Sequence, residues 1–130
     1  RLSLTDLPAM PIGPEDMLPA VAQGAIGIER RATDTRAADM LAAISDQPTV
    51  ARLAAERAFL KALDGSCQTP IAGLAELDGG TLVLRGEILK TDGSASHEGR
   101  LEGPVEDGPA MGHSLAQSLL DKAGPGFLQH

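Results

Sequence analysis

A chain of 130 residues has room for one ordinary domain, or for one small domain and part of another. Its formal charge of −7, from 18 acidic and 11 basic residues, leaves no basic patch, so nucleic acid and anionic membrane surfaces are excluded as expected partners. The single cysteine excludes an internal disulfide and most zinc frameworks, and no apolar run reaches the length of a membrane-spanning helix.

Apolar residues make up 42% of the chain, but there are only two Phe and neither Trp nor Tyr. A core must therefore come from Leu, Ile, Val, Ala and Met. With no signal peptide visible, a cytoplasmic location is expected, and a start on Arg1 reads as a fragment.

Residues 1–22 carry Pro8, Pro11, Pro14 and Pro19, and read as irregular connection. A short strand is predicted over Gln23–Glu29, with Ile26 and Ile28 on one face. Thr33 or Asp34 can cap a helix to about Ser45, on which Ala37, Met40, Leu41 and Ile44 form an apolar stripe. Pro48 suits the first turn of a second helix, running to Leu63 or Asp64 and ending at Gly65 as its left-handed cap. On that helix Ala51, Ala54, Ala55, Ala58 and Ala62 make a small-residue face open to close approach. Leu53, Phe59, Leu60 and Leu63 make a bulkier arc. Glu56 falls inside that arc, half-buried, with Arg52 four residues earlier as the expected partner.

Beyond Cys67, a strand is predicted over Ile71–Leu77, a turn at Asp78-Gly79-Gly80, and a strand from Thr81 to Leu89. Asp92-Gly93 turns the chain into a weak edge strand around Ser94–Leu101. Residues 102–109 read as loop. A last helix, Ala110–Ala123, places Leu115, Ala116, Leu119, Leu120 and Ala123 on one face and stops at Gly124-Pro125. Hairpins this tight force antiparallel pairing. The expectation is an α+β fold: a three-stranded antiparallel sheet packed with helices over 46–130, preceded by a strand–helix segment, 23–45, that reads as belonging to another domain.

Two blocks carry a resemblance. Glu56-Arg57-Ala58-Phe59-Leu60, then Asp64-Gly65-Ser66-Cys67-Gln68-Thr69-Pro70-Ile71, resembles the cofactor-attachment loop of the porphobilinogen deaminase (hydroxymethylbilane synthase) family, with Ser66 where a second glycine is usual. Leu18-Pro19-Ala20-Val21-Ala22-Gln23-Gly24-Ala25, leading to Ile28-Glu29, is similar to a second signature of that family. It departs at Ala22, where glycine is usual, and at Arg30, where cysteine is common.

The resemblance implies the C-terminal part of a three-domain transferase of heme and other tetrapyrrole biosynthesis. Residues 1–22 would end the second domain, 23–45 would cross through the first, and 46–130 would carry the cofactor. It implies that Cys67 holds a dipyrromethane through a thioether, and that Gln23 and Gly24 line the cleft. Porphobilinogen and the growing polypyrrole chain would be its partners: four units are added with loss of ammonia, and hydrolysis frees linear hydroxymethylbilane. The full-length protein is expected to be a monomer, and the fragment to self-associate through 23–45.

The residues themselves set bounds on this chemistry. A cysteine just past a helix C-terminus faces partial negative charge, which disfavours thiolate and suits an anchor formed once over a turnover nucleophile. His97, His113 and His130 show no spacing that converges on Cys67, so no metal site and no cysteine hydrolase is expected. They read as solvated surface groups. The polycarboxylate product needs an arginine-rich cleft and a general acid, and Arg30, Arg31 and Arg36 are the nearest approach to one. No catalytic residue is assigned to this chain, which alone is expected to be inactive. The alternative is a non-enzymatic acidic α+β interaction module that binds through the Met40/Ile44 stripe.

Overall fold

The computed structural model describes residues 8–65 and 69–128. Helix α1 (Thr35–Ala42) begins at Asp34, whose carboxylate accepts the Ala37 amide at 2.8 Å. Helix α2 (Gln47–Ala62) begins at Asp46, which accepts the Thr49 amide at 2.9 Å. Pro48 sits in its first turn, where no intrahelical donor is lost. Three strands follow, β1 (Ile71–Asp78), β2 (Thr81–Leu89) and β3 (Ser96–Pro104), in the antiparallel order β1-β2-β3. A single 3-10 turn (Val105–Asp107) leads into α3 (Gly108–Ala123).

The register places Gly73, Ala75, Leu82, Leu84, Gly86 and Ile88 on the face that α2 and α3 cover. Phe59 is fully buried against it. A Cβ on Gly86 would stand 2.5 Å from the Phe59 Cζ, so the ring fills the slot left by the missing side chain. The alanine face of α2 meets α3 as the sequence suggests. Gly112 lies so near the α2 backbone that a Cβ there would press on the Ala55 carbonyl and stand 2.8 Å from the Phe59 nitrogen. Met111, Leu115, Ala116 and Leu119 complete the core, together with Phe127 beyond the helix. With the sheet and helix layers in place, the α+β architecture is confirmed.

Four local expectations are corrected. Gln23–Glu29 forms no strand: it is a turn followed by extended chain, with Ile26 and Ile28 82% and 58% exposed. An isolated strand has nothing to satisfy its amides, and the one bridge nearby pairs Ala20 with Ala72. Strand β3 and helix α3 take in most of the predicted 102–109 loop. Gly103 and Pro104 pair with Leu82 and Thr81 on an edge strand, where proline is tolerated. The left-handed residue ending α2 is Asp64 (φ 52), not Gly65. His97 is half-buried, its ring edge-on to Phe127 at 5.0 Å, instead of solvated.

Candidate functional site

The attachment segment is framed by two fixed ends. At the end of α2 the Gly65 amide donates to Leu60 O (3.0 Å) and the Asp64 amide to Lys61 O (3.1 Å), the paired bonds of a Schellman cap. Gly65 is small for contact reasons: a Cβ there would meet Leu60 and Ile71 side chains at 2.5 and 2.7 Å. On the far side, the Ile71 amide donates to Thr69 O (2.8 Å) and the Leu89 amide to Pro70 O (3.0 Å), tying the loop exit to β2. Cys67, the predicted anchor, lies outside the described residues. An open cavity of about 560 Å³ adjoins both ends of the segment, lined by Leu63, Asp64, Thr69, Leu120, Asp121 and the Gly124–Leu128 turn. Among the described residues its ionisable groups are Asp64 and Asp121, which offer no cation to a carboxylate ligand.

Gln23 and Gly24 sit in a tight turn, with the Gln23 amide donating to Ala20 O (3.0 Å) and Gly24 at φ +77. Both are exposed. The turn is held from below by Glu56, which corrects the expected ion pair with Arg52. Glu56 is 6% exposed, and its Oε2 accepts the Ala22 amide while Oε1 accepts the Ala75 amide, each at 2.8 Å. Two fixed N–H groups satisfy the carboxylate without desolvating a guanidinium. Arg52 donates to the Thr49 hydroxyl instead. Ala22 has φ 60, the left-handed conformation that glycine, usual at this point of the family signature, adopts freely.

Sequence reasoning gave no role to Arg85 or Phe127. Arg85, on the uncovered sheet face, donates through NH1 to Glu15 (2.9 Å) and through NH2 to Glu76 (3.0 Å). Glu15 lies 70 residues from Arg85 in the chain, and no spacing rule reaches it. Phe127 closes the core under Lys90, whose Nζ lies 5.0 Å above the ring. His113 is exposed, and His130 lies outside the described residues. Among the described residues no group of His, Cys, Asp and Glu could hold a metal ion.

The profile of the porphobilinogen deaminase C-terminal domain matches residues 50–121, which span most of α2, the attachment segment, all three strands and most of α3. The chain belongs to the porphobilinogen deaminase family. A curated relative from Paracoccus denitrificans (strain Pd 1222), named porphobilinogen deaminase, is 56% identical over 127 residues. That match covers 98% of this chain and 41% of the relative, so the chain spans about two-fifths of its length. Among the described residues no helix is long and apolar enough to cross a membrane.

Proposed function

We propose that this chain is the cofactor-bearing part of a hydroxymethylbilane synthase acting in tetrapyrrole biosynthesis, a cytoplasmic transferase that joins four porphobilinogen molecules with loss of ammonia. The supporting observation is the attachment block itself, Asp64–Ile71, set between a closed helix end and a tied strand start in a chain of this family. Cys67 is the proposed thioether anchor for dipyrromethane, which when bound supplies the primer on which the polypyrrole grows. The residues around the segment fit an anchor: both ends are hydrogen-bonded to the fold, and Leu63 and Leu120 give it apolar walls. They do not fit a carboxylate cleft, because Asp64 and Asp121 would repel acetate and propionate groups. The chain's own contribution is therefore to hold and orient the tether, and the arginines and proton donor come from elsewhere in the longer protein. In this reading residues 1–22 end the second domain, 23–45 cross the first, and the Gln23-Gly24 turn lines the cleft.

Peptide mass spectrometry on the full-length enzyme that contains this chain tests the anchor. A pyrrole adduct on the Cys67 peptide, with a red Ehrlich reaction, is expected, and both should vanish in Cys67→Ser. An unmodified Cys67 in an active enzyme overturns the anchor. The 130-residue chain alone should not consume porphobilinogen, and sustained tetrapyrrole release from it would show the catalytic groups to be misplaced.

A further inference from the structure

Residues 14–22 cross from the uncovered face of the sheet to the edge of β1, and they are fastened at two places of different character. At the outer place Arg85 donates through NH1 to Glu15 (2.9 Å) and, at 3.4 Å, to Pro14 O. The Glu15 side chain is 81% exposed, and the Arg85 Nε is buried without a partner, a desolvation cost that the ion pair must offset. Beneath this stretch runs an open cleft of about 490 Å³, between Pro14–Leu18 and the Arg85, Glu87, Glu98 and Arg100 side of the sheet. At the inner place Pro19 O accepts the Gly73 amide (3.0 Å), Ala20 bridges Ala72, Val21 packs on the core, and the Ala22 amide meets the buried Glu56. The outer fastening is ionic and solvated on its Glu15 side; the inner one is half-buried and reaches the core through Val21 and Glu56.

We propose that residues 14–22 form a two-anchor strap on the sheet domain, which releases at the Arg85–Glu15 end first and at the Glu56–Ala22 end only when the domain itself opens. Loss of the outer anchor frees residues 14–18, roughly 17 Å of extended chain at about 3.4 Å per residue. The strap is thus an adjustable tether for whatever precedes Pro14, while the turn at Ala22 stays fixed. This inference stands on the strap's own contacts and is independent of the catalytic reading.

Residue-resolved hydrogen exchange on the chain separates the anchors. The Asp16 and Met17 amides, which bond to Gly13 O at 3.0 and 3.1 Å in the turn that carries Glu15, report the loosening of that turn when the outer anchor is lost, and the Ala22 and Gly73 amides report the inner one. Raising salt to about 1 M, where screening reaches within about 3 Å, should speed Asp16 and Met17 exchange by about two- to fivefold and leave Ala22 and Gly73 unchanged. Arg85→Gln should give the same pattern at low salt and remove the salt response. Ala22→Gly relieves the left-handed alanine and should slow Gly73 exchange without touching Asp16. Glu56→Gln should speed Ala22 and Gly73; if that variant does not fold, Arg85→Gln and Ala22→Gly decide. The proposal is overturned if Arg85→Gln speeds all four amides together, or if Asp16 and Met17 ignore both salt and the substitution.

Discussion

Glu56 uses both carboxylate oxygens on backbone amides that belong to different parts of the fold, so its removal orphans one buried and one half-buried donor at once. Glu56→Ala is therefore expected to destabilise the chain by about 2–4 kcal/mol, measured by urea unfolding, with Glu56→Gln costing less because one acceptor remains. A loss below about 0.5 kcal/mol for Glu56→Ala would mean that water replaces the carboxylate. The positive-φ residues give a prediction of opposite sign. Ala22→Gly should stabilise by about 0.5–1 kcal/mol, the left-handed penalty relieved less the entropy of a freer unfolded chain. Asp64→Gly should gain less, since aspartate tolerates that conformation better than alanine. The burial of Glu56 was legible in the sequence, because it falls within an apolar helical arc. Its partners were not: Ala22 and Ala75 lie 34 and 19 residues away, and only the finished fold brings their amides to the carboxylate.

Helix α2 organises the other elements through the contrast between its two sides. The alanine side lets α3 approach until Gly112 touches the α2 backbone, and the bulky side sends Phe59 into the Gly73/Gly86 slot of the sheet. Gly112→Ala must push two helices apart along their whole contact, so a loss of about 1–3 kcal/mol is expected in thermal or urea unfolding. An unchanged midpoint would show that the crossing has slack. The start of α2 carries a pH dependence. Hydrogen bonding from Thr49, with a smaller contribution from the Arg52 charge, holds the Asp46 carboxyl below the ordinary aspartate value. A depressed folded pKa gives stability that is present above the unfolded pKa and lost as pH falls through the folded one. Asp46→Asn keeps a capping oxygen without a titrating group, so it should flatten the acid limb of the stability curve while preserving helix content by circular dichroism. These elements were legible because caps, alternation and Gly-rich turns are local signals. The end of β3 was not, because Gly103 and Pro104 look like loop until β2 supplies their partners.

At the scale of the whole molecule, α1 has no buried residue; its Met40 is 64% exposed, and Ile44, just past its end, is 72% exposed. The apolar stripe was legible from periodicity, but what covers it was not, since a stripe says only that some surface is needed. Among the described residues nothing covers Met40 and Ile44, Ala37 and Leu41 are only half-buried, and Ile26 and Ile28 add to the exposed apolar surface. Such a patch favours association, since burying each large side chain is worth roughly 1.5–3 kcal/mol. The isolated chain should therefore sediment as a concentration-dependent oligomer. Met40→Lys with Ile44→Asp should return it to monomer, and the near-native melting of the sheet domain should survive because α1 contributes nothing to the core. In the longer protein the same stripe would lie against preceding chain, and the self-association should then disappear without any substitution. A wild-type chain that is monomeric up to millimolar concentration, with 23–45 exchanging its amides as fast as coil, would show that the stripe recruits no partner.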